Sequence, residues 1–323
     1  MSRVLSGIQP SGTLHIGNYF AMMKPMIEFQ EEHDLFCFIV NYHALTSIHE
    51  SEALKQNTLQ AAIDFLALGL DPERCHFWVQ SDVPEVTELT WILACHTSLG
   101  LLERSHSYKD KVARGLTPNS GLYTYPILMA ADILLYQSEI IPVGKDQKQH
   151  IEITRDIADR FNSTYGETFV MPEPLINDDL AVIPGIDGQK MSKSYDNTIN
   201  IFEEEKPLKK KIMRIVTDST PVEDPKDPDK CNVFALYSLF ADNTSKKQMR
   251  QRYLDGGMGY GDAKKELFAL TWEYFKPFRD RRAELASRPD DIIDIMKMGA
   301  EKTRIIAAET LDLVKDRVGL KYY

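Results

Sequence analysis

The segment GQKMSKSYDN, Gly188 to Asn197, sets two lysines and two serines around one methionine, after a glycine and before an Asp-Asn pair. It is too polar and too small-sided for a core, so on its own it reads as a solvated loop; what its lysines do depends on what the rest of the chain gives them to touch. A second group, GIQPSGTLHIGN (Gly7 to Asn18), follows the first apolar run. A strand, a small glycine-bearing turn and a helix in that order form the place where open α/β sheets bind ligands. Gly12 and Gly17 leave room for close backbone approach, and the helix offers free N–H groups to phosphate. The pattern is not G-x-G-x-x-G, nor a phosphate loop, because no Lys follows Gly17. In a third group, YPILMAADILLY, Tyr125, Met129 and Asp132 fall at i, i+4 and i+7 and share a helix face that can line a pocket.

These residues need a scaffold. RVLSGI, LFCFIVN, CHFWVQS and EIIPVG have the length and content of strands, and SEALKQNTLQAAIDFLALG reads as a helix with Ser51 as N-cap and Gly69 just past its end. Alternating strand and helix predicts a doubly wound, Rossmann-like parallel sheet of the α/β class. After about residue 200 the helical period dominates. The expected organisation is a Rossmann-like domain over 1–200 with a connecting helical insert, then a helical domain over 201–323 whose last helix has room to pack back on the first. At 323 residues and 43% hydrophobic, the chain can fill one large core and a smaller unit.

Composition narrows the function. No apolar run approaches the ~20 residues that span a bilayer, and the N-terminus lacks a signal peptide's apolar segment, so a cytoplasmic protein with no membrane partner is expected. Cys37, Cys75, Cys95 and Cys231 are scattered without C-x-x-C spacing, and the histidines show no H-E-x-x-H; no protein-ligated metal is expected. A net charge of -10 argues against general nucleic-acid binding. Local patches remain: Lys206, Lys209, Lys210, Lys211 and Arg214 in KPLKKKIMR, and Lys246, Lys247, Arg250 and Arg252 in SKKQMRQR.

HIGN (His15 to Asn18) and KMSKS (Lys190 to Ser194) together resemble the signature pair of class I aminoacyl-tRNA synthetases. GIQPSGTLHIGNY, YPILMAADILLY and IPVGKDQKQHIEITRDIADRFN extend the likeness to the bacterial tryptophanyl branch of that family, strongly over the first 200 residues and in general character beyond. The resemblance implies a ligase that activates tryptophan with ATP to the adenylate plus pyrophosphate and transfers it to tRNA(Trp), working as a homodimer with an anticodon-binding helical domain. The alternative is the tyrosyl enzyme. A nucleotidyltransferase lacking tRNA would not need the helical domain, and a regulatory paralogue would be expected to lose one of the signatures.

Activation is attack of a carboxylate on the α-phosphorus, in which the protein positions reactants and neutralises growing charge. The resemblance assigns that work to Lys193, then Lys190 and Lys111, with Gln9 beside the reacting carboxylate and α-phosphate. It implies ATP contacts from Gln9, Ser11, His15, Gly17, Asn18, Gly144 and Asp146, and from Lys190, Met191, Ser192, Lys193 and Ser194, with the serines and Asn197 fixing the loop. Mg²⁺ comes with the triphosphate. Asn18 stands where the general motif has His and can donate a hydrogen bond but carries no charge. For tryptophan the implied residues are Gly7, Gln9, His43, Tyr125, Met129, Asp132, Ile133, Ile141, Val143 and Gln147. An indole N–H only donates, so it needs an acceptor such as Asp132, with Met129 supplying polarizable contact. Lys145 stands where an acidic residue is expected, and Asn41-Tyr42 depart from the commoner Asp-Gln before His43. DGGMGYGD and PVEDPKDPDKCN read as loops.

Overall fold

The computed structural model describes residues 1–10, 12–104, 119–176 and 183–323, without the side chain of Asp146. Ser11 and Lys111, and the side chain of Asp146, therefore lie outside the described structure. Strands form at Arg3–Ile8 (β1), Asp34–Ile39 (β2), His76–Val79 (β3) and Ile140–Pro142 (β4), where the apolar runs placed them. A fifth, Glu173–Leu175 (β5), has no apolar pattern to announce it. The sheet runs β3-β2-β1-β4-β5, with every pair parallel. Its inner strands are buried on both faces, which is why β2 reads as a continuous apolar run. Phe38 stacks on Trp78 with ring centroids 5.0 Å apart, and Phe36 and Tyr136 continue that layer. Beside β1 the chain order reverses, with β2 on one side and β4 on the other. A doubly wound sheet opens its ligand crevice at such a point, outside the carboxyl ends of the strands.

The longer helices are α1 (Ser51–Ala67), α2 (Glu85–Ala94), α3 (Ser120–Leu135), α4 (Lys148–Tyr165), α5 (Glu205–Met213), α6 (Asn232–Phe240), α7 (Asn243–Asp255), α8 (Tyr260–Tyr274), α9 (Lys276–Ala286) and α10 (Pro289–Arg317). Gly69, at φ +111°, sits just past α1 as its sequence suggests. The N-cap differs from expectation: Glu50 takes the extended cap conformation and Ser51 is the first helical residue, with Glu52 placing charge in the first turn.

Two compact units interleave along the chain: Met1–Gly12 with Met26–Asp178 and Leu285–Tyr323, and Thr13–Pro25 with Asp179–Glu284. The first holds the sheet and α10. Helix α10 lies against edge strand β3, and only glycine permits the approach, because a Cβ on Gly299 would meet the Phe77 carbonyl oxygen at 1.8 Å. Arg304 pairs with Glu85 at 2.8 Å and Lys315 with Glu88 at 2.8 Å, clamping α10 to α2.

In the second unit, Ile16 N–H donates to Ile199 O (2.9 Å) and Ile201 N–H to Leu14 O (3.0 Å). Tyr19, Phe20, Phe240, Tyr274 and Phe275 form a contiguous aromatic cluster that joins the Thr13–Pro25 segment to α6 and α8. DGGMGYGD is the stop between α7 and α8, with Gly256 at φ +75° and Gly257 at φ +77°. The PVEDPKDPDKCN loop folds over the buried Lys226, whose ammonium donates to the carbonyls of Pro221 (2.8 Å), Asp224 (3.0 Å) and Val222 (3.2 Å).

The Gly299 contact carries a test. Gly299→Ala is expected to destabilise the first unit by about 1–3 kcal/mol, because a methyl group must be forced into backbone, despite alanine's better helix propensity. Thermal denaturation should show a lower Tm; an unchanged or raised Tm would mean that α10 shifts without cost.

Candidate functional site

In the first unit, the turns after β2 and β3 are tied together and aimed at α3. Asn41 donates to Ser81 Oγ (2.8 Å), and Ser81 N–H returns to Asn41 Oδ1 (3.1 Å). Gln80, 1% exposed, accepts from Tyr42 N–H (3.0 Å) and donates through Nε2 to both carboxylate oxygens of Asp132, at 2.8 and 2.9 Å. His43 Nε2 stands 2.8 Å from Asp132 Oδ2. A carboxylate opposite that nitrogen requires its proton there, so His43 is the donor. Asp132 is 3% exposed, and burial raises its pKa while the bonds from His43 and Gln80 act the other way. These bonds use three of the about four acceptor positions of a carboxylate, leaving room for one more donor.

Tyr125, two turns of α3 earlier, hydrogen-bonds His150 Nε2 (2.5 Å) and meets the His43 ring edge-on at 6.3 Å. Tyr125 and His43 line a cavity of about 340 Å³ with Tyr42, Leu45, Thr124 and Leu128, within the usual range for small-ligand sites. Met129 and Val143 are half-buried against the core, while Ile133 and Ile141 lie inside it. Gly7, in β1, has no room for a side chain, since a Cβ would meet Val40 Cγ1 at 2.9 Å. Gln9 follows β1, and Gly144 caps the turn Lys145–Gln147 after β4, so Gln9, Gly144 and Gln147 sit at the carboxyl ends of neighbouring strands and are exposed.

The second unit brings the two signature segments together. His15 is 6% exposed and caps the short helix Ile16–Asn18: its Nδ1 accepts from Asn18 N–H (3.2 Å), and Asn18 Oδ1 accepts from His15 N–H (3.4 Å). Burial, with the positive charge of Lys193 adding to it, lowers the His15 pKa to about 4. The ring is neutral at neutral pH, and with Nδ1 accepting, its proton is on Nε2. Gly17 N–H points at Met191 Sδ (3.4 Å), and a Cβ on Gly17 would meet His15 Nδ1 at 2.9 Å and Met191 Cβ at 3.3 Å.

Asn197, 1% exposed, shapes the lysine loop. Its Oδ1 accepts from Ser192 N–H (2.8 Å), while Nδ2 donates to Asp187 Oδ1 (2.8 Å) and Lys190 O (3.0 Å). Ser192 Oγ accepts from Ser194 N–H (3.3 Å), and Asp196 takes φ +50° to end the turn Lys193–Tyr195. Lys190 and Lys193 thus project from a braced backbone, and the protein mass around Lys193 lowers its pKa. Gln80 and Ser81 belong to no motif, and His150, though inside a segment of family likeness, carries no pattern of its own; none of the three is evident from the sequence. Gln80 and Ser81 sit just past an apolar strand, a position that could have flagged them.

This fold and these two motifs define a class I aminoacyl-tRNA synthetase. The family model described as tRNA synthetases class I (W and Y) matches residues 1–276, and the chain belongs to that family. Within it, a tryptophan-tRNA ligase of Fusobacterium nucleatum is 54% identical over 99% of this chain and 98% of its own length. One from Campylobacter jejuni is 54% identical over 98% of this chain and all of its own. The crystal structure of the tryptophanyl-tRNA synthetase from Campylobacter jejuni complexed with ADP and tryptophan superposes with a TM-score of 0.94 at 54% identity, covering 98% and 99% of the two chains.

The His15 environment sets a pH dependence. Its pKa is lowered from 6.5 to about 4, so below 6.5 the unfolded chain binds a proton that the folded chain refuses. The associated stability is present above pH 6.5 and lost as pH falls towards 4. His15→Asn keeps a capping side chain and removes the titration. Between pH 7 and 4.5, wild type is expected to lose about 1–2 kcal/mol more than the variant in urea unfolding, after allowance for solvent screening; equal losses would place the ring in solvent.

Proposed function

We propose that this chain is a tryptophan-tRNA ligase. Tryptophan's carboxylate oxygen attacks the α-phosphorus of ATP, the bond to the β-phosphate oxygen breaks, and pyrophosphate leaves. The 3′-terminal ribose hydroxyl of tRNA(Trp) then attacks the activated carbonyl and releases AMP. The observation that carries this reading is Asp132, a buried carboxylate held by Gln80 and His43 with one acceptor position to spare, which suits the lone N–H of indole. Full-length relatives at 54% identity support the choice over the tyrosyl alternative.

In the first unit, Asp132 accepts from indole, and Tyr125, Met129, Ile133, Ile141, Val143 and Gly7 shape the amino-acid pocket. Gln147 faces the ammonium group, and Gln9 meets the reacting carboxylate and α-phosphate. Gly144 and Asp146 take the ribose. In the second unit, neutral His15 donates to phosphate oxygen through Nε2, Asn18 and the Gly17 backbone face the nucleotide, and Lys193 and Lys190 neutralise the pyrophosphate as its charge grows. Lys111 is assigned the same task by resemblance alone. Mg²⁺ arrives with the triphosphate as part of the substrate and shields its charge. The protein acts in the cytoplasm as a homodimer, and the helices of the second unit read the anticodon.

Amino-acid-dependent exchange of pyrophosphate into ATP, run with each standard amino acid, should select tryptophan; preference for tyrosine would reverse the assignment. Lys193→Ala should lower kcat about a hundredfold while moving the tryptophan KM little, because its contact strengthens in the transition state. Asp132→Ala should cost roughly tenfold to a hundredfold in tryptophan specificity, with a smaller effect on ATP.

The basic patches differ in how far their charges are already paired. Arg250 is held by Asp229, Arg252 by Glu266 (2.8 Å) and Lys211 by Glu203 (2.9 Å), so their charges are answered within the protein. Lys206, Lys209, Lys210 and Arg214 are exposed on and just after α5. Neutralising those four together should weaken tRNA binding and flatten its salt dependence while amino-acid activation stays within about twofold. An unchanged salt slope would remove α5 from the tRNA surface.

A further inference from the structure

We propose that Gln80 is a specificity-determining positioning residue: it fixes the Asp132 carboxylate so that one oxygen position stays aimed at an indole N–H. The inference rests on the tryptophan reading above and adds to it a residue that never touches the substrate in that reading.

The geometry distinguishes Gln80 from an ordinary buried amide. Its side chain bridges three elements: the strand β3 that ends just before it, the turn Asn41–Ala44, whose Tyr42 N–H it accepts (3.0 Å), and α3, whose Asp132 it holds by both oxygens (2.8 and 2.9 Å). The acceptor end reads a backbone N–H, so the amide cannot flip without leaving Tyr42 N–H and the carboxylate each facing a group of their own kind. Its Nε2 is thereby obliged to point at Asp132. A bond to both oxygens fixes the carboxylate in rotation as well as in place, which His43, bonded to Oδ2 alone, does not. The Asn41–Ser81 pair clamps the same two turns and leaves the amide no slack. A carboxylate free to rotate would average its open position over several directions, and discrimination that depends on one directed hydrogen bond would fall first.

The test uses a probe that removes only the substrate's donor. 3-(3-Benzothienyl)alanine has sulfur in place of the indole N–H and nearly the same shape. In pyrophosphate exchange, wild type should favour tryptophan over this analogue by about tenfold to a hundredfold in kcat/KM, as expected for a directed hydrogen bond in a buried site. Gln80→Met keeps length and removes all three bonds; Gln80→Leu removes them with a branched side chain of similar volume. Both should bring the tryptophan-to-analogue ratio to within about threefold of unity by losing tryptophan activity selectively, with the KM for ATP unchanged. A Gln80→Met, Asp132→Ala double variant should discriminate no less than Asp132→Ala alone.

If either Gln80 variant lowers both substrates equally, or leaves the ratio at its wild-type value, Gln80 does not set specificity and the proposal fails. Should Gln80→Met not fold, the ratio measured with Gln80→Leu decides between the same two outcomes. If Asp132→Ala itself keeps the wild-type ratio, the reading of Asp132 as the indole acceptor fails, a result separate from the behaviour of Gln80.

Discussion

Two backbone hydrogen bonds, Ile16 N–H to Ile199 O and Ile201 N–H to Leu14 O, hold together the parts of the second unit that carry the two motifs. They join segments whose contacting residues, Gly17 and Met191, are 174 positions apart. Because backbone bonds fix register independently of side-chain identity, the HIGN and KMSKS segments are held in one rigid piece and need no mutual search. The neutral state of His15 follows, since the ring is buried by this pairing and faces the charge of Lys193.

The same constraint explains the interleaving of the units. A helix that follows β1 would ordinarily pack on the sheet. Here Tyr19 and Phe20 find their partners in Phe240, Tyr274 and Phe275, so the segment after β1 belongs to the helical unit. Helix α10 makes the converse choice: it follows the helical segment in sequence yet packs on β3, because Gly299 opens a place that no other residue could fill. It also covers a sheet edge that would otherwise present unpaired backbone groups.

The proposed tryptophan site and the lysine loop draw on different physics. The Asp132 site is buried and relies on directed hydrogen bonds in a medium where an unanswered polar group is costly. The lysine loop lies at the surface and carries charge, with Asn197 bracing its backbone. Bracing the backbone fixes where the lysine side chains start, which suits the proposed work on a phosphate whose charge changes during reaction.

The sequence by itself determined the α/β class, four of the five strands, the helical second half and the pair of motifs, because these depend on local periodicity and on short runs of residue types. It also singled out Asp132, His43, Tyr125 and Lys193, since each lies in a segment whose pattern or family likeness is local. Only the tertiary structure decided that Gln80 reaches Asp132, 52 residues away, that Arg250 and Arg252 are spent on Asp229 and Glu266, and that β5, three residues long, completes the sheet. Each of these is a contact between distant segments. Side-chain hydrogen bonds and ion pairs of that kind leave no periodic trace in the chain; their geometry exists only once the backbone has brought the partners within about 3 Å.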